Sequence, residues 1–191
     1  METKGKPTRK SPRAEWYDYA GGTYFVTSVT KDRSNYFGYI ENGKIELSKL
    51  GIHLNREIDN LTSHYHYVKV INHVVMPNHF HLIIYIENND LPKRLRELGK
   101  DNFSNRYEKA NKLQGWLSVI IGGLKANITR FAHKEKYPFA WQSSFHDHII
   151  RGTEDFNKIS EYIDNNIINW EVDRFHQPIK LETRSISSKV R

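Results

Sequence analysis

The sequence predicts an α+β domain built on an antiparallel sheet. Three observations carry this. Short runs dense in β-branched and aromatic residues recur, as in TYFVTSVT and HLIIYI; such runs favour strands. One run of about 20 residues places apolar side chains every three or four positions, the spacing of an amphipathic helix. Pro77-Asn78 turns one long strand-like run directly into the next, which makes the two antiparallel neighbours.

Taken in order, Thr23 to Thr30 forms the first strand after Gly21-Gly22, and its apolar density places it in the centre of the sheet. Tyr36 to Ile40 and Lys44 to Leu47 form a short hairpin, because Asn42-Gly43 supplies the positive φ angles of a tight turn. Ser48 caps a helix running to about His64, with Leu50, Leu54, Ile58 and Leu61 on its buried face. Tyr67 to Met76 is a long strand. Pro77-Asn78 turns it into an antiparallel neighbour, VVMPNHFHLIIYI continuing to Ile86. From Glu87 to Lys112 the pattern loosens into a polar insertion with a short helix near Leu91 to Leu98. Leu113, Trp116, Leu117, Ile120, Ile121, Leu124, Ile128 and Phe131 then define the long helix. Gly122-Gly123 inside it costs about 1 kcal/mol per residue relative to alanine, which suits a close approach by another group. Trp141 to Arg151 is the fourth core strand, and Thr153 caps a final helix reaching Trp170.

At 191 residues the chain suits one domain with a real core. A domain over 23–170 is expected, with a basic N-terminal arm over 1–22, an insertion at about 87–112 and a polar basic tail over 171–191. The balance of 29 Lys+Arg against 22 Asp+Glu gives a formal charge of +7, which favours a polyanionic partner. The absence of cysteine excludes disulfide scaffolds, thiolate zinc sites and cysteine nucleophiles, and it points to a reducing cytoplasm. No run approaches the ~20 apolar residues of a membrane helix, so no membrane partner is expected.

Two histidines carry the functional reading. His79 and His81 share one face of a buried strand while Phe80 points the other way. Either they are core-edge histidines satisfied by hydrogen bonds, or they converge on a divalent cation or a phosphate; the spacing alone fits both. His146 and His148 form a second alternating pair that could hold a metal, although Asp147 interrupts its apolar context and no third ligand is evident. On the final helix Phe156, Ile159, Ile163, Ile167 and Trp170 make the apolar stripe, and Tyr162 and Asn166 lie one turn apart on its edge. A tyrosine there is usually amphipathic packing. With the histidine pair in the same chain, however, an ion held by His79, His81 and the Asn166 oxygen would leave positions open for a phosphodiester, with Tyr162 as nucleophile. Candidate phosphate contacts are Arg9, Lys10 and Arg13 in the basic arm, and Lys125 and Arg130 on the long helix.

His79-Phe80-His81 in MPNHFHLII resembles the histidine-hydrophobe-histidine signature of the HUH nucleases, and YIDNNIINW resembles the tyrosine helix of the single-tyrosine transposases. GTYFVTSVT, LSVIIGGLKANITR and WQSSFHDHIIRGTEDF are similar to the REP-associated tyrosine transposases, the resemblance covering roughly residues 13 to 172. It implies a ferredoxin-like βαββαβ core followed by a helix bearing the tyrosine. It also implies magnesium or manganese as cofactor, and cleavage of single-stranded DNA beside a REP-like hairpin through a 5′-phosphotyrosine intermediate. His79, His81 and Asn166 become metal ligands and Tyr162 the nucleophile. Monomers acting in cis are implied over dimers. Family members usually carry proline after the asparagine, where this chain has Ile167.

Two other readings fit the same residues. A non-catalytic hairpin DNA or RNA binder would keep salt-sensitive affinity without nicking. A phosphoesterase acting through water would form no covalent adduct.

Overall fold

A computed structural model of the chain describes residues 22–87, 115–173 and 175–176. The basic arm, the short helix expected near Leu91 to Leu98 and the end of the tail lie outside the described residues. The elements are β1 (Gly22–Val29), β2 (Gly38–Glu41), β3 (Lys44–Leu47), α1 (Lys49–Asp59), a single turn α2 (Leu61–His64), β4 (Val68–Val75), β5 (His79–Ile86), α3 (Gly115–Lys134), β6 (His146–Ile149) and α4 (Gly152–Asp164). A 3-10 turn, Trp170–Val172, follows.

Four strands form one antiparallel sheet in the order β4-β5-β1-β6. With α1 between β1 and β4, and α3 between β5 and β6, this is the ferredoxin-like βαββαβ arrangement. β1 is interior, as its composition required. The β2–β3 hairpin forms a separate two-stranded sheet, closed by Asn42 and Gly43 at φ 51° and 69°, the positive angles a two-residue hairpin loop needs.

The two faces of the sheet have different jobs. Phe80, Leu82, Ile84 and Ile86 of β5 join Tyr24 and Val26 of β1, Leu50, Leu54 and Ile58 of α1, and Leu117, Ile120, Ile121, Leu124 and Ile128 of α3 in the main core. The opposite face carries His79, His81 and Ile83, and α4 lies across it. Phe156, Ile159 and Ile163 of α4 pack with Ile83, Phe25, Val74 and Ile150. Asn72 on β4 donates to Ser160 Oγ at 3.1 Å and to Asp164 Oδ1 at 2.8 Å, fixing the helix against the strand. Asn72 reaches that face because β4 is irregular between Val70 and Asn72.

Three expectations are corrected. The first helix breaks at Asn60, whose backbone N–H bonds to Arg56 O and Ile58 O, so Leu61–His64 forms a separate turn. The fourth core strand is only His146–Ile149: Trp141 makes one isolated bridge to Thr30, and the carbonyls of Gln142 and Ser144 accept from Lys125 Nζ at 2.9 and 3.4 Å. The last helix starts after Arg151 rather than at Thr153 and ends at Asp164, with Asn165 as its C-cap. The apolar stripe nevertheless continues past the helix end, because Ile167 and Trp170 pack with Val29, Met76 and Phe175. Among the described residues no helix is long and apolar enough to cross a membrane.

Candidate active site

The site begins at the turn between β4 and β5. Met76 N donates to His79 O at 2.8 Å and Phe37 N to Pro77 O at 2.9 Å, which presents Asn78 inward. Asn78 is fully buried. Its Nδ2 donates to Arg33 O at 3.0 Å and Phe175 O at 2.8 Å, so its Oδ1 faces His79 Nδ1 at 2.9 Å. The Nδ1 of His79 is therefore the protonated nitrogen, and Nε2 carries the lone pair. One strand pair away, Thr27 sits opposite His81, and its Oγ1 lies 2.7 Å from His81 Nδ1. With both remote nitrogens engaged, the two Nε2 atoms face one another at 3.1 Å.

Aromatic rings wall this pair in. Phe25 stacks on His81 with ring centroids 5.1 Å apart, and Phe175 and Trp170 lie 4.6 and 6.0 Å from His79. Both histidines are buried, while Tyr162 is 42% exposed, so the pair is reachable along the tyrosine side. The Tyr162 hydroxyl lies 3.2 Å from His81 Nε2 and donates to Asp173 Oδ2 at 3.4 Å. A cleft of about 500 Å³ opens here, lined by Tyr162, Asn166, Asn169, Val172 and Asp173.

The donor set fits a divalent cation. His79, His81 and Asp173 bring ligand atoms within 4.8 Å of one another. Imidazoles with their second nitrogen held by a side-chain oxygen are the usual form of metal-bound histidine. Asn166 is buried, and its Oδ1 lacks a hydrogen-bond partner among the described residues, a costly arrangement that an oxygen-binding ion would relieve.

The other sequence-predicted residues fall elsewhere. His148 donates to Asp155 Oδ2 at 2.9 Å, and the Arg151 N–H donates to the same oxygen at 3.0 Å. His148 therefore serves the start of α4, and neither His146 nor His148 is in the metal-capable cluster found among the described residues. Lys125 turns inward, with Nζ 5.4 Å from the Trp141 ring centroid in addition to its carbonyl contacts, and burial holds its pKa below the usual lysine range. Arg130 is exposed. Arg9, Lys10 and Arg13 lie outside the described residues. Sequence reasoning missed Thr27, Asn78, Asp173 and Phe175. A buried asparagine beside a histidine was a usable sign; Asp173 and Phe175 had none, since the chain from residue 171 read as tail, yet Phe175 is buried against His79.

Fold and site together place two histidines on an interior strand of a ferredoxin-like sheet, with a tyrosine beside them from the helix that follows β6. No family model matches the chain. It is 33% identical over 174 residues, 88% of its length, to a Haemophilus influenzae protein that bears no functional name and is itself covered to 93%. It is 24% identical over 184 residues to a second protein of that organism, provisionally named a REP-associated tyrosine transposase, covering 85% of this chain and 84% of the relative. Among solved structures it is similar to a REP-associated tyrosine transposase bound to a REP hairpin, with a TM-score of 0.49, 22% identity and coverage of 85% of this chain and 74% of that one. A protein of Deinococcus radiodurans, provisionally named a transposase, gives a TM-score of 0.44, 14% identity and coverage of 82% and 97%.

Proposed function

We propose that this protein nicks and rejoins single-stranded DNA beside a REP-like hairpin, with Tyr162 as nucleophile and His79, His81 and a side-chain oxygen holding magnesium or manganese. The observation that carries the reading is the 3.2 Å approach of the Tyr162 hydroxyl to His81 Nε2 within a single chain. A phenol beside a pair of nitrogens suited to a cation, with part of its ring exposed, supports that reading. The same approach supports action in cis by a monomer.

The cation, when bound, would withdraw charge from the phosphodiester and orient it for in-line displacement. Tyr162 Oη forms the new bond to phosphorus as the bond to the 3′ oxygen breaks. The phenolic proton passes to water at the exposed edge of the ring, the departing 3′ oxygen takes a proton from water and leaves as a hydroxyl, and the 5′ phosphate remains on the tyrosine. The phosphotyrosine bond keeps the energy of the cleaved linkage, so a 3′ hydroxyl can reverse the step. Phe25, at 6.1 Å and nearly perpendicular to the Tyr162 ring, limits where the phenol can point. Arg9, Lys10, Arg13 and Arg130 supply phosphate contacts in this reading, and the hairpin as target is supported by the similarity to a relative named a REP-associated tyrosine transposase.

The test is a hairpin oligonucleotide with a single-stranded flank, incubated with manganese. Wild type should form a denaturation-resistant protein–DNA adduct, and Tyr162→Phe should form none while retaining hairpin binding. Adduct persisting in Tyr162→Phe removes the nucleophile assignment; binding without any adduct in wild type favours the non-catalytic binder.

A further inference from the structure

We propose that Asp173 is the third protein ligand of the cation, so that the segment following the last helix is part of the metal centre. The inference rests on the reading of His79 and His81 as a metal-binding pair, and goes beyond it by naming a carboxylate from outside the tyrosine helix.

Asp173 is held toward the histidines by its own short segment. Its backbone N–H bonds to Trp170 O at 3.1 Å, and its Oδ1 accepts from the Phe175 N–H at 2.6 Å. Trp170 and Phe175, on either side of it, pack on the His79 ring, and Phe175 O is fixed by Asn78 Nδ2. Asn78 thus aligns both His79 and the segment that presents the carboxylate. The second oxygen, Oδ2, accepts from Tyr162, so one carboxylate sits within reach of the nucleophile and of the imidazole pair.

The chemistry favours Asp173 over an amide as the third donor. Two neutral imidazoles carry no charge, and a dication buried among aromatic rings needs a negative partner. Asn166 lines the same cleft and can add an oxygen, but it contributes no charge. A site of two imidazoles and one carboxylate binds manganese more tightly than magnesium, because imidazole is a poor ligand for magnesium.

The experiment is calorimetric titration of the metal-stripped full-length protein with manganese and separately with magnesium, without DNA. Wild type, Asp173→Asn, Asp173→Glu, Asn166→Ala and His81→Ala are compared, with the metal-free melting temperature of each as a fold control. Wild type should bind one manganese more tightly than magnesium. Asp173→Asn should weaken manganese by at least about tenfold, the scale at which even residues outside the first coordination sphere act. Asp173→Glu should recover part of the loss, and Asn166→Ala should lose less than Asp173→Asn. Wild-type affinity in Asp173→Asn alongside loss in His81→Ala overturns the proposal and leaves the histidine pair intact as a metal site. Wild-type affinity in His81→Ala overturns the metal reading itself. If Asp173→Asn lowers the metal-free melting temperature, Asp173→Glu decides: affinity no better than in Asp173→Asn counts against a carboxylate ligand.

Discussion

The Asn78 carboxamide fixes the tautomer of His79. Its Nδ2 is committed to the carbonyls of Arg33 and Phe175, so Oδ1 can only accept from His79 Nδ1, 2.9 Å away, and the lone pair of Nε2 turns toward His81. Asn78→Ala removes the donor to two carbonyls and frees the imidazole to rotate. It should destabilise the fold by about 1–3 kcal/mol and weaken manganese binding by about 10- to 100-fold. Chemical denaturation and metal titration of the same variant read the two effects separately.

The paired glycines of α3 differ in what surrounds them. A Cβ on Gly123 would lie 2.8 Å from Tyr65 Oη, whereas a Cβ on Gly122 meets nothing within 4 Å. Only Gly123 is therefore explained by a close approach. Gly122→Ala should raise stability by about 0.5–1 kcal/mol, a gain of roughly 1–4 °C in melting temperature for a chain of this size. Gly123→Ala should gain less, because the Tyr65 hydroxyl must move.

Asp155 ties the end of β6 to the start of α4. The Arg151 N–H and His148 beside it hold its carboxyl below the usual 3.8. A carboxylate with a depressed folded-state pKa adds stability that is fully present above its unfolded value and is lost as pH falls through the folded value. Asp155→Asn should therefore cost stability at neutral pH, on the order of 1 kcal/mol for a lost helix-terminus contact. The difference from wild type should narrow below about pH 4, where the wild-type carboxyl also takes up its proton. Melting temperatures across pH 2.5–7 check both the sign and the window.

The sheet was legible because its signals are local. Alternation in TYFVTSVT and HFHLIIYI, the Asn-Gly turn and the Ser48 cap each act within a few residues, and each appears where expected. Helix ends were less legible, since Asn60 and Asn165 stop α1 and α4 inside apolar periods that continue beyond them. The long fourth strand failed for a tertiary reason: Lys125, which read as a phosphate contact, takes the carbonyls that a strand would have paired. His79, His81, Tyr162 and Asn166 were visible as residue types at suggestive spacings. Asp173 was not, because a carboxylate in a polar stretch looks like any solvated residue until Trp170 and Phe175 fold it back over the histidines. The third-ligand expectation for Asn166 placed it on the tyrosine helix; it sits two residues past the helix end, on the wall of the same cleft.

Trapping the covalent adduct on a hairpin substrate, digesting it and sequencing the nucleotide-bearing peptide tests the central claim most directly. The account predicts that the modified peptide contains Tyr162 and that the nucleotide is joined through its 5′ phosphate. A nucleotide on any other residue, or joined through its 3′ phosphate, would contradict it.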